Sequence, residues 1–130
     1  MPTISRRAEY KLTERRSRFF AVAMPAETQS EVKRAVESRR TALRKARHHV
    51  WACRIRAADG SLFEQARDDG EVGRPGMVLL ELLRRADLEG ALVVSRISGG
   101  VKLGPGGVAR AFRSAGEGAL QILFPVGGQG

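Results

Sequence analysis

A glycine-rich stretch, residues 99–107, has the composition of a loop that could bind an anion. Five of its nine residues are glycines, which are unfavourable inside helices and strands. The stretch follows an apolar run at residues 91–94 and precedes a helical pattern that begins near residue 106. A loop between a buried strand and a helix start directs backbone N–H groups at one point, where negative charge is favoured. We therefore predict a phosphate- or RNA-backbone-binding loop made of Arg96, Gly99, Gly100, Lys102, Gly104, Gly106, Gly107 and Arg110.

The same loop leaves other interpretations open. It is not a Walker loop, because no Gly-Lys-Ser or Gly-Lys-Thr precedes the helix. Gly104, Gly106 and Ala109 superficially match a dinucleotide-binding spacing, but only Glu117 follows as an acid and no second parallel strand is available. The glycines could also form a tight strand-to-helix connection that only permits close packing.

A second polar group combines carboxylates with a histidine. Asp68, Asp69 and Glu71 surround a glycine and could act in acid–base chemistry or hold a divalent cation, although such a turn also suits a solvated loop. His48 has no Ser or Cys partner at a recognisable spacing, so a hydrogen-bonding role at a strand start is favoured. We predict a possible polar site at these residues, with no metal and no cofactor.

These two loops could also contact each other. If they meet, Asp68 could pair with Arg96 or Lys102 instead of facing solvent.

Basic residues are concentrated in the first half of the chain. The formal net charge is +9, and residues 1–56 carry fifteen Lys and Arg against five acids, whereas the remainder carries eight against nine. Arginine outnumbers lysine nineteen to four, and guanidinium groups suit bidentate contacts with phosphate. The pattern favours a polyanionic partner such as RNA, DNA or the ribosome, although solvated arginines without a partner would give the same composition. The predicted basic surface comprises Lys33, Arg34, Arg40, Arg44, Arg47, Arg54 and Arg56.

The remaining composition places limits on the type of protein. A chain of 130 residues predicts one domain with a substantial core. The single Cys53 agrees with a reducing compartment, and no apolar run approaches the ~20 residues of a membrane span. Without a secretory pattern at the start, we expect a cytoplasmic location and no membrane partner. The oligomeric state is left open.

Hydrophobic periodicity predicts seven elements in mixed order. Strands are expected at residues 17–24, 49–56, 62–66 and 91–97, and helices at 28–46, 77–86 and 106–120, with 120–124 a last strand or a helix tail. Residues 1–14 are expected to form a flexible basic arm whose end could enter the sheet, 15–124 a single domain and 125–130 a disordered tail. The order indicates an α+β two-layer sandwich, with helices on one face of a mixed or antiparallel sheet.

Several motifs together resemble the N-terminal domain of the IMPACT/YigZ family. The matching segments are residues 17–19 (Ser-Arg-Phe), 46–55 (Ala-x-His, then Ala-x-Arg-Ile), 68–71 (Asp-Asp-Gly-Glu), 94–96 (Val-Ser-Arg) and 99–112. The last segment, Gly-Gly-x-Lys-Leu-Gly-x-Gly-Gly-Val-x-Arg-Ala-Phe, is the most specific. The resemblance covers about residues 15–120. The family's Tyr-Phe before the glycines is replaced in this chain by Ile97 and Ser98.

The resemblance implies a fold like domain 2 of ribosomal protein S5 and a non-enzymatic role in translation control. Eukaryotic relatives restrain a starvation-sensing kinase by occupying its ribosome-associated activator, so a translation-control protein is an implied partner. Bacterial members usually carry a second, ferredoxin-like domain.

Together these observations favour a non-enzymatic module that binds RNA or the ribosome. Two alternatives are a phosphate- or nucleotide-binding enzyme that uses the glycine-rich loop, and a protein–protein regulatory module.

Overall fold

The computed structural model describes residues 2–125, which contain five strands and three helices. The elements are β1 (Ala8–Glu14), β2 (Ser17–Met24), α1 (Gln29–Ala42), β3 (His48–Arg56), β4 (Leu62–Arg67), α2 (Pro75–Arg85), β5 (Gly90–Ile97) and α3 (Gly104–Leu123). The strands form one sheet in the order β1-β2-β5-β3-β4, and every pairing between them is antiparallel. The predicted α+β class is confirmed.

Both faces of the sheet are covered by helices. One face, including Phe19 and Val94, contacts α2 and α3, and Phe19 meets Phe112 edge to face at a centroid distance of 5.1 Å. The opposite face, including Trp51 and Val93, packs against α1. The expectation that helices gather on one face therefore holds for α2 and α3, whereas α1 is an exception. Strands β3 and β5 are apolar on both sides, so each side needs a cover to remove it from water.

The first residues are part of the fold: the end of the expected arm does enter the sheet, and the residues before it are also held in place. Residues Ala8–Glu14 form β1 and pair with β2 along their whole length, while Ile4 is fully buried. The turn between the strands consists of Arg15 and Arg16, both with positive φ (45° and 70°). Such turns normally contain glycine or asparagine, so the sequence carried no hairpin signal at this point.

The largest difference from the predicted helix boundaries is at the end of α1. Helix α1 begins at the predicted cap, where Thr28 accepts a hydrogen bond from the Glu31 amide at 3.2 Å, but it ends at Ala42 instead of continuing to residue 46. The chain must leave the helix there to enter β3 at residue 48.

Helix α3 runs from Gly104 through Leu123, so residues 120–123 are the predicted helix tail and not a strand. It lies very close to β1, since a Cβ at Gly118 would overlap the ring of Tyr10. Of the predicted disordered tail, residues 126–130 lie outside the described part of the chain.

Candidate nucleic-acid interface

The antiparallel sheet brings two sets of loops to opposite ends. At one end lie the β1–β2 turn, the α1–β3 connection, the acidic loop after β4 and the glycine-rich loop after β5. The register fixes this arrangement, because Phe19 near the start of β2 and His48 at the start of β3 both lie opposite Arg96. We call this end, comprising residues 15–16, 43–48, 67–74 and 96–110, the basic end.

The basic end carries many exposed cations that have no carboxylate within ion-pair distance among residues 2–125. They come from all four loops and from the first turns of α3: Arg15, Arg16, Arg44, Lys45, Arg47, Arg67, Arg74, Lys102 and Arg110. A cavity of about 430 Å³ between the β1–β2 turn and α3 is lined by two of them, Arg15 and Arg110. The arrangement gathers positive charge from distant parts of the sequence on one surface.

The acidic loop and the glycine-rich loop do meet, but through residues other than the predicted pair. Glu71, not Asp68, binds Arg96, with Nη1 3.1 Å from one carboxylate oxygen. Both side chains are largely buried, at 4% and 11% exposure. Arg96 also lies over the ring of Phe19 at 5.7 Å. Arg96 is therefore held inside the protein and does not face a ligand.

The other two acids of this loop are also engaged in structural hydrogen bonds. Asp68 accepts from the amide of Gly76 at 2.8 Å, in the first turn of α2. Asp69 accepts from the amide of His49 at 2.8 Å and from both terminal nitrogens of Arg40, at 3.2 and 3.3 Å. Burial alone would raise the pKa of Asp69, but these hydrogen bonds outweigh it and the pKa is lowered.

His48 has the hydrogen-bonding role that we favoured. Its Nδ1 lies 2.9 Å from the carbonyl oxygen of Asp69, and the ring is half-buried. Its neighbour His49 is fully buried, with Nδ1 2.7 Å from Ser95 Oγ. Burial lowers the pKa of His49, and the nearby charge of Arg40 lowers it further.

The glycine-rich loop uses its glycines chiefly for close packing. A Cβ at Gly99 would overlap the backbone carbonyl of Arg16, and the Gly99 amide donates to Ser17 Oγ at 3.4 Å. The Gly100 amide donates to Ser98 Oγ at 3.3 Å. These two amides point to the chain itself, which differs from the predicted anion cradle. Lys102 is exposed on the same loop.

The N-terminus of α3, which follows directly in this stretch, has no side-chain cap. Gly104 begins the helix with φ of 73°, and Pro105 follows. Gly106 and Gly107 lie in the first turn, close to the guanidinium group of Arg110. Gly73 of the acidic loop contacts the Pro105 carbonyl, since a Cβ there would overlap it.

Three members of the predicted basic surface are each bound to a carboxylate, and two of them lie at the opposite end of the sheet. Arg54 is 7% exposed and lies at the opposite end of the sheet, where Nε is 2.9 Å from Glu64. Arg56, at the same end, pairs with Glu89 at 3.0 Å. Arg40 is bound to Asp69. These residues are corrections to the predicted surface, because sequence periodicity cannot show which acid faces an arginine across a sheet.

We call the opposite end, comprising residues 54–64 and 81–90, the paired end. Besides Arg54 and Arg56, its Arg84 contacts Glu64 at 2.7 Å and Glu81 at 3.0 Å. The side-chain hydrogen bond from Arg84 lowers the pKa of Glu64. Lys33 and Arg34 are exposed on the first half of α1, which begins near this end, and therefore lie away from the basic end.

Five cations of the basic end were missed from sequence: Arg15, Arg16, Lys45, Arg67 and Arg74. Arg67 and Arg74 come from the second half of the chain, which is not basic overall. Their common signal is a position in or beside a loop at this end of the sheet, which becomes informative only when the strand order is known.

Comparison with known proteins identifies the family. Residues 15–120 match the model of the Impact N-terminal domain. The chain belongs to the Impact N-terminal domain family. The resemblance predicted from the glycine-rich and acidic motifs is thereby confirmed.

Relatives in the Impact family come from bacteria and eukaryotes. An IMPACT family member from Thermus thermophilus is 38% identical over 107 residues, which are 82% of this chain and 56% of that protein. The IMPACT family member YvyE of Bacillus subtilis is 32% identical over 123 residues, 92% of this chain and 56% of the relative. The chain thus spans about half the length of these relatives.

Solved structures of similar proteins support the fold. The crystal structure of a hypothetical protein matches with a TM-score of 0.84 and 30% identity, covering 92% of this chain and 59% of the other. The structure of a two-domain translational regulator, Yih1, matches with a TM-score of 0.57 and 28% identity, covering 88% and 45%. The Impact family therefore has a structural neighbour that regulates translation.

Two further findings concern metals and membranes. Within residues 2–125, no three His, Cys, Asp or Glu side chains are grouped so that they could share a metal ion. In the same residues, none of the helices has the length and apolarity required to cross a lipid bilayer.

Proposed function

We propose that this chain binds RNA, either free or exposed on the ribosome, through the basic end. The observation that carries the proposal is the collection of nine exposed cations without carboxylate partners among residues 2–125, on the loops of one end of the sheet. When Lys and Arg contact phosphates, counterions are released from the nucleic acid, and this supplies most of the sequence-independent affinity of nucleic-acid-binding proteins. The Yih1 neighbour, a translational regulator, supports a link to translation.

The division of roles within the basic end follows from burial. Glu71, Arg96 and Asp69 hold the loops together, while Lys102, Arg110 and the cations of the other loops face solvent. Within the acidic loop, Asp69 and Glu71 are paired with Arg40 and Arg96, whereas Asp68 accepts from the Gly76 amide and keeps its charge. The surface therefore keeps its positive charge despite three acids in four residues.

Salt dependence of RNA binding tests the proposal. We expect a fluorescently labelled rRNA fragment to bind with an affinity that falls steeply between about 50 and about 200 mM salt. The triple variant Arg44→Ala/Arg47→Ala/Lys102→Ala should bind less tightly. Each lost phosphate contact should reduce the slope of log K against log salt by ~0.7 to ~0.9.

A matched control removes the same charge from other surfaces. Lys33, Arg34 and Arg113 are exposed, lack ion-pair partners among residues 2–125 and lie outside the basic end. Their triple alanine variant should leave the salt slope nearly unchanged. Equal effects of the two triple variants would show that net charge alone, and not the basic end, determines binding. Co-sedimentation with ribosomes at low and high salt then distinguishes ribosomal RNA from free RNA.

The enzymatic alternative receives less support from the structure. Asp68, Asp69 and Glu71 are all engaged in hydrogen bonds that stabilise loops, and His48 contacts a backbone carbonyl. A thermal-shift screen with nucleotides and Mg²⁺ tests it directly, because saturable stabilisation by one nucleotide would favour an enzyme. The corresponding test of the protein–protein alternative is a pull-down: a translation factor that is still captured after nuclease treatment would favour it.

A further inference from the structure

The outer side of the helical layer contains a groove that shares only Gly73 and Arg74 with the basic end. It has a volume of about 820 Å³ and lies between α2 and α3, with Pro2 at one side. Apolar side chains form its floor, among them Met77, Val78, Leu82, Leu120 and Phe124. The volume is within the usual range of ligand pockets, about 300 to 1,000 Å³.

The floor remains accessible although it adjoins the core. Met77 and Leu82 are half-buried and contact the core cluster from its outer side, and Phe124 is 41% exposed. A large exposed aromatic beside half-buried aliphatic side chains marks a surface that gains free energy when it is covered.

The walls of the groove carry more free positive than free negative charge. Arg74, Arg85 and Arg113 are exposed and have no carboxylate within ion-pair distance among the described residues. On the acidic side, Glu81 is already bound by Arg84 at 3.0 Å, which leaves Glu117. An occupant therefore needs large apolar side chains for the floor and carboxylates for the guanidinium groups.

We propose that this groove binds an acidic, amphipathic segment of a partner protein, with two or three large apolar side chains against the floor and carboxylates at Arg85 and Arg113. A helix in a groove presents apolar residues at i, i+3 or i+4, and i+7, and this spacing matches a floor between two helices. A second copy of this chain is a poor occupant, because its net charge is +9. Nucleic acid could contact the arginines of the walls but would leave the apolar floor uncovered.

A designed peptide tests the groove directly. The probe is a fluorescein-labelled 16-residue peptide, with leucines at i, i+3, i+4 and i+7 and glutamates at the remaining positions of each turn. We expect saturable binding to the full chain, with NMR methyl shifts at Met77, Leu82 and Leu120. A second peptide with lysines in place of the glutamates should bind far more weakly, because it repels the guanidinium groups.

Variants of two wall arginines and of one floor residue test whether the peptide binds in the groove. Arg85→Ala/Arg113→Ala should weaken the acidic peptide about three- to tenfold, as expected for two exposed ion pairs. Phe124→Ala should weaken both peptides, because it removes apolar contact. The matched control Lys33→Ala/Arg34→Ala removes two exposed cations elsewhere and should leave peptide affinity unchanged. Urea unfolding of each variant verifies that the fold is retained.

Three results would overturn the proposal. The first is peptide binding that shifts only signals from the basic end, such as those near Lys102. The second is groove shifts that appear with increasing protein concentration alone, together with dimers in sedimentation, which would make the occupant a second copy. The third is absence of peptide binding at millimolar concentration. RNA affinity of Arg85→Ala/Arg113→Ala is measured in parallel, so failure of this inference is distinguishable from failure of the RNA-binding proposal.

Discussion

The two ends of the sheet both contain several charged residues but use them differently. At the paired end, Arg54, Arg56 and Arg84 each contact a carboxylate at 2.7 to 3.0 Å, and Arg85, which lines the groove between α2 and α3, is the exception. At the basic end, exposed cations on four loops have no such partner in the described residues. Arginine content alone therefore does not locate an interaction surface. An arginine is available to a partner where no acid of the same chain faces it.

The basic end also shows that burial separates structural from binding arginines within one region. Arg96 is buried, contacts Glu71 and Phe19, and joins two loops. Lys102 is close to it in sequence but faces solvent. If this contrast is correct, changes at the two kinds of position should differ in both stability and RNA affinity.

Removal of Glu71, the buried acid of the basic end, should cause the largest loss of stability. Glu71→Ala leaves the guanidinium of Arg96 buried without its partner, and breaking a buried ion pair costs about 3 to 5 kcal/mol. Urea denaturation measures the loss of unfolding free energy. Glu37→Ala, which removes an exposed partner of Arg40, is the control and should change stability by no more than about 1 kcal/mol. Equal losses for both variants would contradict a structural role for Glu71.

An arginine from each end gives the most direct comparison. Arg54→Ala removes a hydrogen bond to Glu64 and leaves the buried carbonyl of Leu88 without its donor, at a cost of about 2 to 3 kcal/mol. Arg44→Ala removes an exposed side chain that has no ion pair within residues 2–125, and should change stability by less than about 0.5 kcal/mol. Thermal or urea unfolding distinguishes the two. Equal destabilisation would mean that the ends do not differ in the way we describe.

RNA affinity should show the opposite ranking. Lys102→Ala/Arg110→Ala should weaken binding of an rRNA fragment and reduce the salt slope by ~1.4 to ~1.8, as expected for two phosphate contacts. Arg84→Ala at the paired end should leave both quantities almost unchanged, since that guanidinium is bound by Glu64 and Glu81. Anisotropy titrations at several salt concentrations provide the measurement. A larger effect of Arg84→Ala would remove the reason for assigning RNA to the basic end.

The pH dependence of stability should give the smallest effect. Burial lowers the pKa of His49, and the neighbouring charge of Arg40 adds to this, so the folded state favours the neutral ring. Stability from this residue is complete above the unfolded pKa of about 6.5 and is lost as pH falls from there to the lower folded value, because in that window the unfolded chain takes up the proton and the folded chain does not. Urea midpoints between neutral and mildly acidic pH test this. His49→Gln should abolish this loss of stability at mildly acidic pH. If the loss persists in the variant, it belongs to another titrating group.

Local sequence patterns were sufficient for much of the fold. The capping box at Thr28 and Glu31, the alternation in β3 and the apolar helix before β5 predicted elements that the structure contains. They succeed because caps and amphipathic periods depend on neighbours within one or two turns. The glycine-rich and acidic motifs also identified the family, since their spacing is specific.

Contacts between distant residues were not predictable in this way. The Arg15–Arg16 turn adopts positive φ without glycine, so β1 was mistaken for an arm. Asp68 was expected to meet Arg96, but the loop places Glu71 there and uses Asp68 at the start of α2.

Local patterns in the sequence were enough to identify the elements other than β1, the excess of positive charge and the family. Which arginines of residues 2–125 are paired and which face solvent became visible in the folded chain alone. The reason is geometric: an ion pair across the sheet, such as Arg54 with Glu64 or Arg56 with Glu89, depends on strand order and register. Those are set by burial of the whole core, and no local stretch of sequence contains that information.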